Sequence, residues 1–188
     1  MKNYVFALVL LLLSFSCLSI KEVSHSPLDQ DQYNAFISCS GIEFGPNSSY
    51  FRAQSIGVSL DQILSKKKAL SFARADLAQS LKIILEPVLR SYLFSLDSKS
   101  QDLFKDQLYA IQREVIKEFM NQTNVACENL TKNALGKFKT YLVIEKSSEA
   151  FMNQFKKRVM LDPLLKMGFD YNLYEKYFLQ EMKKLDSF

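Results

Sequence analysis

Cysteine is the residue type with the widest chemical scope in this chain of 188 residues, which contains Cys17, Cys39 and Cys127. A cysteine can be acylated, can pair in a disulfide, or can be buried as a small apolar side chain. Other reactive chemistry is hard to assemble, because the chain has one histidine, His25, and five glycines. That supply is poor for histidine catalysis, for a metal cluster and for a glycine-rich phosphate loop. We therefore expect no catalytic residue, no metal and no cofactor.

Cys17 lies at the end of a leader that has the form of a signal peptide. A basic start precedes the ten-residue apolar run 4–13, which is shorter than the roughly 20 residues that a bilayer span needs. A small residue, Ser16, directly before a cysteine is similar to the bacterial lipobox, in which that cysteine is acylated. The pattern predicts a signal peptide over 1–16 and a lipid on Cys17. The alternatives are an ordinary signal peptide cut near Ser16 or Ser19 and a retained anchor.

Residues 17–33 are polar, include Pro27 and show no periodicity, so we expect them to tether the lipid anchor to a folded domain. The remaining chain is long enough for one ordinary domain. Its 48% hydrophobic and 23% charged residues indicate a globular fold with a real core. The net charge of +4 is small for a dedicated nucleic-acid binder, so nucleic acid is not expected as a partner.

Alternating apolar and polar residues predict strands over 35–44, around Val125 to Cys127, and over 137–145. Tyr50 to Val58 is expected to add a short extended return. In the third strand, one set of side chains is expected to face one way and a second set the other. The two sets are Phe138, Thr140, Leu142 and Ile144, and Lys139, Tyr141 and Val143.

Helical periodicity predicts a long helix of about 30 residues that begins after a capping box formed by Ser59 and Gln62. Pro87 is expected to kink or interrupt this helix. A second amphipathic helix is predicted from Phe104 to Phe119, and further helices after Glu145. The sequence thus predicts an α+β fold in which a long amphipathic helix packs on a small antiparallel sheet. Its predicted parts are an α+β domain over 34–145 and a C-terminal helical extension over 146–188.

Ser65 and Lys68 have the S-x-x-K spacing that can place a lysine one helical turn from a nucleophilic serine. Neither S-D-N nor K-T-G follows in the sequence. A solvated helix face explains the run of three lysines, 66–68, more simply. We therefore assign these residues no catalytic role.

Cys39 and Cys127 form an even pair once Cys17 carries a lipid, and export would place them where disulfides persist. The alternative is a pair of buried thiols. The aromatic-rich tail offers a possible interaction surface, because tyrosine is a favoured interface residue, and the alternative is that it packs on the domain. Its residues are Phe169, Tyr171, Tyr174, Tyr177 and Phe178.

Three segments resemble a bacterial outer-membrane lipoprotein family, the Lpp-twenty family. Ser38 to Ile42 is similar to its early strand and glycine turn, Lys68 to Leu81 to its helix of the form A-x-x-x-A-R-x-x-L-A, and Leu135 to Ile144 to its closing strand. The resemblance implies an α+β domain that is lipid-anchored in the outer membrane and has no catalytic centre. Relatives include flagellar accessory lipoproteins. The helices after Glu145 would be an addition of this protein.

These observations lead to one expected function and one alternative. We expect a non-enzymatic cell-envelope lipoprotein that acts as a structural or interaction module at the outer membrane. Its partners would be the membrane, through the N-terminal lipid, and an unknown envelope protein or a second copy of the chain. The alternative is a secreted or periplasmic binding protein whose helices and sheet enclose an apolar ligand pocket.

Overall fold

The computed structural model describes residues 39–187, so the signal peptide, Cys17 and the tether expected over 17–33 lie outside the described residues. The described chain has a mixed α+β fold with one three-stranded antiparallel sheet, as the sequence predicted. The strands are β1 (Tyr50–Ser59), β2 (Asn124–Lys132) and β3 (Phe138–Ser147). The helices are α1 (Gln62–Phe94), α2 (Ser98–Phe119), α3 (Ser148–Leu161), α4 (Pro163–Gly168) and α5 (Tyr171–Lys184), with 3-10 turns at Ile42–Phe44 and Leu185–Ser187.

The central strand of the sheet is β3, which pairs with β1 on one side and with β2 on the other. Leu142 and Ile144 face the main core with the helices, and Tyr141 and Val143 belong to a smaller cluster on the opposite face. The two-sided pattern expected for this strand is therefore confirmed for these four residues.

The long helix α1 begins one residue after Asp61, whose carboxylate accepts a hydrogen bond from the backbone amide of Leu64 at 2.7 Å. The predicted capping box is wrong, because the hydroxyl of Ser59 instead accepts a hydrogen bond from the amide of Asp61. The helix also continues without interruption through Pro87 to Phe94. Its buried stripe extends past the proline to Leu93, so packing against the rest of the core outweighs the loss of one backbone donor.

A glycine allows α1 to lie very close to the sheet. A Cβ atom added at Gly57 of β1 would stand 1.9 Å from the carbonyl oxygen of Ser65 and 2.5 Å from the amide nitrogen of Ala69. Two side-chain hydrogen bonds cross the same interface: Ser55 Oγ donates to the carbonyl of Ala69 at 2.6 Å, and the hydroxyls of Ser65 and Thr140 lie 2.7 Å apart. The start of α1 is therefore held against β1 and β3 by direct backbone contact.

The C-terminal helices share one core with the sheet and α1. The ring of Phe178 in α5 lies 6.3 Å from the ring of Phe51 in β1 and stacks at 6.1 Å on Phe151 in α3. Because all three rings are buried in the same cluster as the α1 stripe, the described part of the helical extension expected over 146–188 shares one hydrophobic core with the sheet and α1.

The strand expected over 35–44 is not found in its described part, because residues 39–44 form turns. Backbone amides of Phe44 and Gly45 donate to the carbonyls of Gly41 and Ile42 in a 3-10 turn. Arg52 holds this segment on the outer face of the sheet, since its guanidinium donates to the carbonyls of Glu43 and Gly45. The extended return expected over 50–58 is confirmed, and it is the first strand of the sheet, β1.

Candidate functional site

No group of three or more metal-binding side chains lies together among residues 39–187. Within the same range, no helix has the length and apolar character needed to cross a membrane. The S-x-x-K residues do not form a catalytic pair: Ser65 is fully buried with its hydroxyl against Thr140, and Lys68 Nζ donates to the carbonyl of Val58 at 3.2 Å.

A disulfide joins Cys39 to Cys127, the two residues that the sequence suggested as a pair. Their Cα atoms are 5.6 Å apart, within the usual range for a bridge. Cys39 lies in a turn, not in a strand, and Cys127 lies in β2 beside Val143 of the central strand. The bridge therefore fastens the segment before β1 to the opposite edge strand, over the outer face of the sheet.

The proposed aromatic surface of the tail is wrong for Tyr174 and Phe178, which are completely buried. Tyr174 stacks on Phe155 with ring centroids 4.5 Å apart. The other three residues, Phe169, Tyr171 and Tyr177, are half-buried and pack against the main core. Their apolar area is therefore used mainly to cover the core, and little of it is left for a partner.

The two tyrosines that are buried in the main core differ in what their hydroxyls contact. The hydroxyl of Tyr92 accepts a hydrogen bond from the backbone amide of Asp170 at 3.0 Å, whereas the hydroxyl of Tyr174 has no hydrogen-bond partner among the described residues. Burial raises the pKa of both phenols above the usual 10.0. Neither is placed to act as an acid or a base at neutral pH, and both serve the core.

Exposed apolar side chains gather at one end of the domain. Ser59, the last residue of β1, and Lys132, the last of β2, both pair with Phe138, the first of β3, so the β1–α1 junction and the β2–β3 hairpin lie side by side. The exposed fraction reaches 72% for Leu60 and 77% for Leu135. We call this group the apolar tip, and its residues are Val58, Leu60, Ile63, Leu64 and Leu135.

Lysines surround the apolar tip. The segments 56–68 and 128–140 hold six of the 24 basic residues of the chain and two of its 20 acidic residues, so the charges of the remaining chain balance at 18 of each sign. The two segments therefore carry a net charge of +4 between them. We call these residues the lysine rim, and they are Lys66, Lys67, Lys68, Lys132, Lys137 and Lys139.

The two carboxylates at this end are already occupied. Asp61 caps α1, and Glu128 forms an ion pair with Lys66 at 2.8 Å. Lys67 and Lys137 form no ion pair with a carboxylate of the described residues. The tip thus combines aliphatic side chains in contact with water and two lysines, Lys67 and Lys137, that have no ion pair among residues 39–187.

A second basic feature is a depression of about 400 Å³ between α1 and α2, lined by Lys82, Arg113, Lys117 and apolar residues such as Ile116 and Met120. Its apolar floor is largely buried, with Ile116 only 4% exposed. Another depression, of about 380 Å³, lies beside Cys39 on the outer face of the sheet. Both are open hollows on the surface, and the one exposed aliphatic side chain among their lining residues is Ile56, beside Cys39.

Comparison of the chain with protein-family models and with curated proteins finds no match. The resemblance to the Lpp-twenty family therefore remains a proposal that rests on the three segments quoted above. The apolar tip was not anticipated from the sequence. Its signal was four apolar residues among the seven residues 58–64, shortly before three lysines, but alternation and helical periodicity assign such residues to a core as readily as to a surface.

Proposed function

We propose that this protein is a non-enzymatic lipoprotein of the bacterial cell envelope, held at the outer membrane by a lipid on Cys17, and that it acts as a structural or interaction module. The observation that carries the proposal is the ten-residue apolar run followed by Ser16 and Cys17. Acylation adds enough apolar area for membrane attachment, especially where more than one chain is present.

Two features of the described residues support this proposal. A disulfide between Cys39 and Cys127 suits an exported protein, because such bonds persist mainly outside the reducing cytosol. The S-x-x-K residues make structural hydrogen bonds: the hydroxyl of Ser65 bonds to the hydroxyl of Thr140, and the ammonium group of Lys68 donates to the carbonyl of Val58. A module that works through contacts accounts for such a chain better than an enzyme does.

The test is metabolic labelling of the full chain with a palmitate analogue in a bacterial host, followed by membrane fractionation. We expect the unmodified protein to be labelled and to stay with membranes after a high-salt wash, and Cys17→Ser to be unlabelled and released. The matched control is the double substitution Cys39→Ser and Cys127→Ser, which keeps Cys17 and should still be labelled. An unmodified mature N-terminus at another residue, shown by intact mass, would rule out the lipoprotein.

The alternative, a binding protein with an apolar pocket between helices and sheet, has less support. The contact between Gly57 and the backbone at Ser65 and Ala69 leaves no space for a ligand between α1 and β1. A ligand would instead have to use an open hollow, such as the one beside Cys39 or the one between α1 and α2. Stabilisation that rises with the concentration of an apolar ligand, measured by thermal shift, would favour this alternative.

A further inference from the structure

We propose that the apolar tip and its lysine rim form a docking surface for an anionic lipid bilayer. The inference goes beyond the proposed lipid anchor and takes from it only the setting near a membrane. It rests on one juxtaposition: exposed aliphatic side chains gather at one end of the domain, beside two segments that together carry a net charge of +4.

The aliphatic side chains supply the apolar part of the contact. Single exposed apolar residues are normal, but a contiguous group on a protein surface marks a site of interaction. Leu60 and Ile63 are 72% and 67% exposed, and Leu135 projects from the turn of the neighbouring hairpin, which the amide of Gly136 closes by donating to Asn133. Side chains that stand out from two adjacent turns can enter the interfacial region of a bilayer without any change in the fold.

The lysine rim supplies the charged part. A lysine near an anionic membrane surface contributes about fivefold to binding, and its long aliphatic stem can lie along the acyl region while the ammonium group stays among headgroups. Lys67 follows the tip on α1, and Lys137 follows it on the hairpin. Because neither has an acidic partner among the described residues, no internal ion pair has to be broken when they meet anionic lipid.

Other partners fit this surface less well. A second copy of the chain would bring two lysine rims together, and like charges oppose such an interface. A nucleic acid is usually recognised through arginine and aromatic side chains, but segments 56–68 and 128–140 contain no arginine and one aromatic residue, Phe138, which is half-buried. An anionic bilayer matches both the aliphatic centre and the basic periphery.

The experiment measures co-sedimentation of the chain 18–188 with vesicles. This chain lacks the acylated cysteine, so the result does not depend on the lipid, and it keeps every described core residue, from Phe51 to Met182. We expect binding to equimolar phosphatidylglycerol and phosphatidylcholine, much weaker binding to phosphatidylcholine alone, and loss of binding as salt is raised. Equal binding to both vesicles, or none to either, would overturn the proposal.

Substitutions locate the contact. Lys67→Glu with Lys137→Glu should lower the partition coefficient by at least about 25-fold, since each lysine contributes about fivefold. The matched control is Lys82→Glu with Lys117→Glu, which makes the same charge change at the depression between α1 and α2 and should lower it much less. An equal loss in the control would show a general effect of net charge and overturn the assignment to the tip.

A second pair of variants tests the aliphatic side chains. Leu60→Gln with Ile63→Gln should weaken binding about tenfold or more, whereas Ile83→Gln with Phe94→Gln, which replaces exposed apolar residues elsewhere on α1, should leave it within about twofold. All four residues are exposed, so thermal unfolding should be unchanged. If size-exclusion chromatography shows a dimer that only the tip variants dissociate, the tip is a self-association surface and the membrane proposal fails.

Discussion

Replacement of Gly57 by alanine should separate the long helix from the sheet. The new Cβ would lie 1.9 Å from the carbonyl oxygen of Ser65, whereas ordinary contacts begin near 3.4 Å. The backbone of α1 must therefore move by about 1.5 Å, since neither neighbour is a side chain that could rotate away. Such a shift stretches both hydrogen bonds across the interface, from Ser55 to Ala69 and between Ser65 and Thr140.

The cost of Gly57→Ala can be estimated from these contacts. Overpacking of a close interface costs about 3 kcal/mol, and each of the two hydrogen bonds contributes about 1 kcal/mol. We expect the free energy of unfolding to fall by about 5 kcal/mol, which is a large part of the total stability of a typical domain. Urea denaturation followed by circular dichroism gives this difference directly, provided that the dependence on urea concentration is unchanged.

The control for this prediction is Gly136→Ala in the β2–β3 hairpin. Gly136 has a positive φ of 75°, but no atom lies within 4 Å of an added Cβ, so alanine there costs only the backbone strain of about 1–2 kcal/mol. The comparison separates a steric clash from a conformational preference. A Gly57→Ala protein that is as stable as the Gly136→Ala protein would refute the close approach of α1 to β1.

Three further predictions concern stability. Tyr174→Phe should leave the free energy of unfolding unchanged or raise it by about 1 kcal/mol, because it removes a buried hydroxyl that has no partner among the described residues. Tyr92→Phe should lower the free energy of unfolding by about 1 kcal/mol, because it leaves the backbone amide of Asp170 without its hydrogen bond. Thermal melts in which Tyr92→Phe is the more stable of the two variants would contradict this prediction. Reduction of the bridge between Cys39 and Cys127, which are 88 residues apart, should lower the free energy of unfolding by about 4–5 kcal/mol in the chain-entropy model. Two titratable thiols in the unfolded, unreduced protein would show that no bridge exists. Hydrogen bonds from the start of α4, chiefly from the amide of Leu165, lower the pKa of Asp162 below its usual 3.8. The contribution of Asp162 to the free energy of unfolding is therefore complete above that value and is lost as the pH falls through the lower native pKa. An acid unfolding curve that Asp162→Asn leaves unchanged would show that this contribution is absent.

The helices could be predicted well because their signal is local. The periodicity of α1 correctly placed Ala73, Leu77, Leu81 and Val88 in the core. Of the other residues on the predicted stripe, Leu70 and Ile84 are only partly buried and Ile63 is 67% exposed. The effect of Pro87 could not be predicted in the same way. Its cost depends on what the rest of the helix gains by packing, and that gain comes from partners that are distant in sequence.

The first strand shows where local patterns fail. Residues 35–44 alternate more clearly than 50–58, but the described part of the first segment, 39–44, forms turns, whereas the second segment pairs with β3. Alternating apolar and polar residues indicate that a segment can form a strand, but whether it does depends on backbone pairing with a neighbouring strand. The turn chemistry of Gly41 and Gly45 was the competing local signal in the first segment.

The candidate site depended even more on tertiary structure. The tail aromatics and the tip residues are equally apolar in the sequence, but Tyr174 and Phe178 are buried, while Leu60 and Ile63 are exposed. Composition fixes how much apolar area a chain has, and only the packing of α5 against α1 and β1 determines which part of that area is left outside. The tip could therefore be recognised only after the tail had been placed.

The bridge between Cys39 and Cys127 has a mechanical consequence for a protein pulled at its two ends. A load that arrives from the N-terminal side passes at Cys39 directly into β2, and from there along β2 and β3 to the C-terminus. The 88 residues of separation, which include β1, α1 and α2, bear no tension along this path. Their contour length of about 300 Å cannot be extended as long as the bond is oxidised, whereas in the reduced protein unfolding of these elements under load would release it.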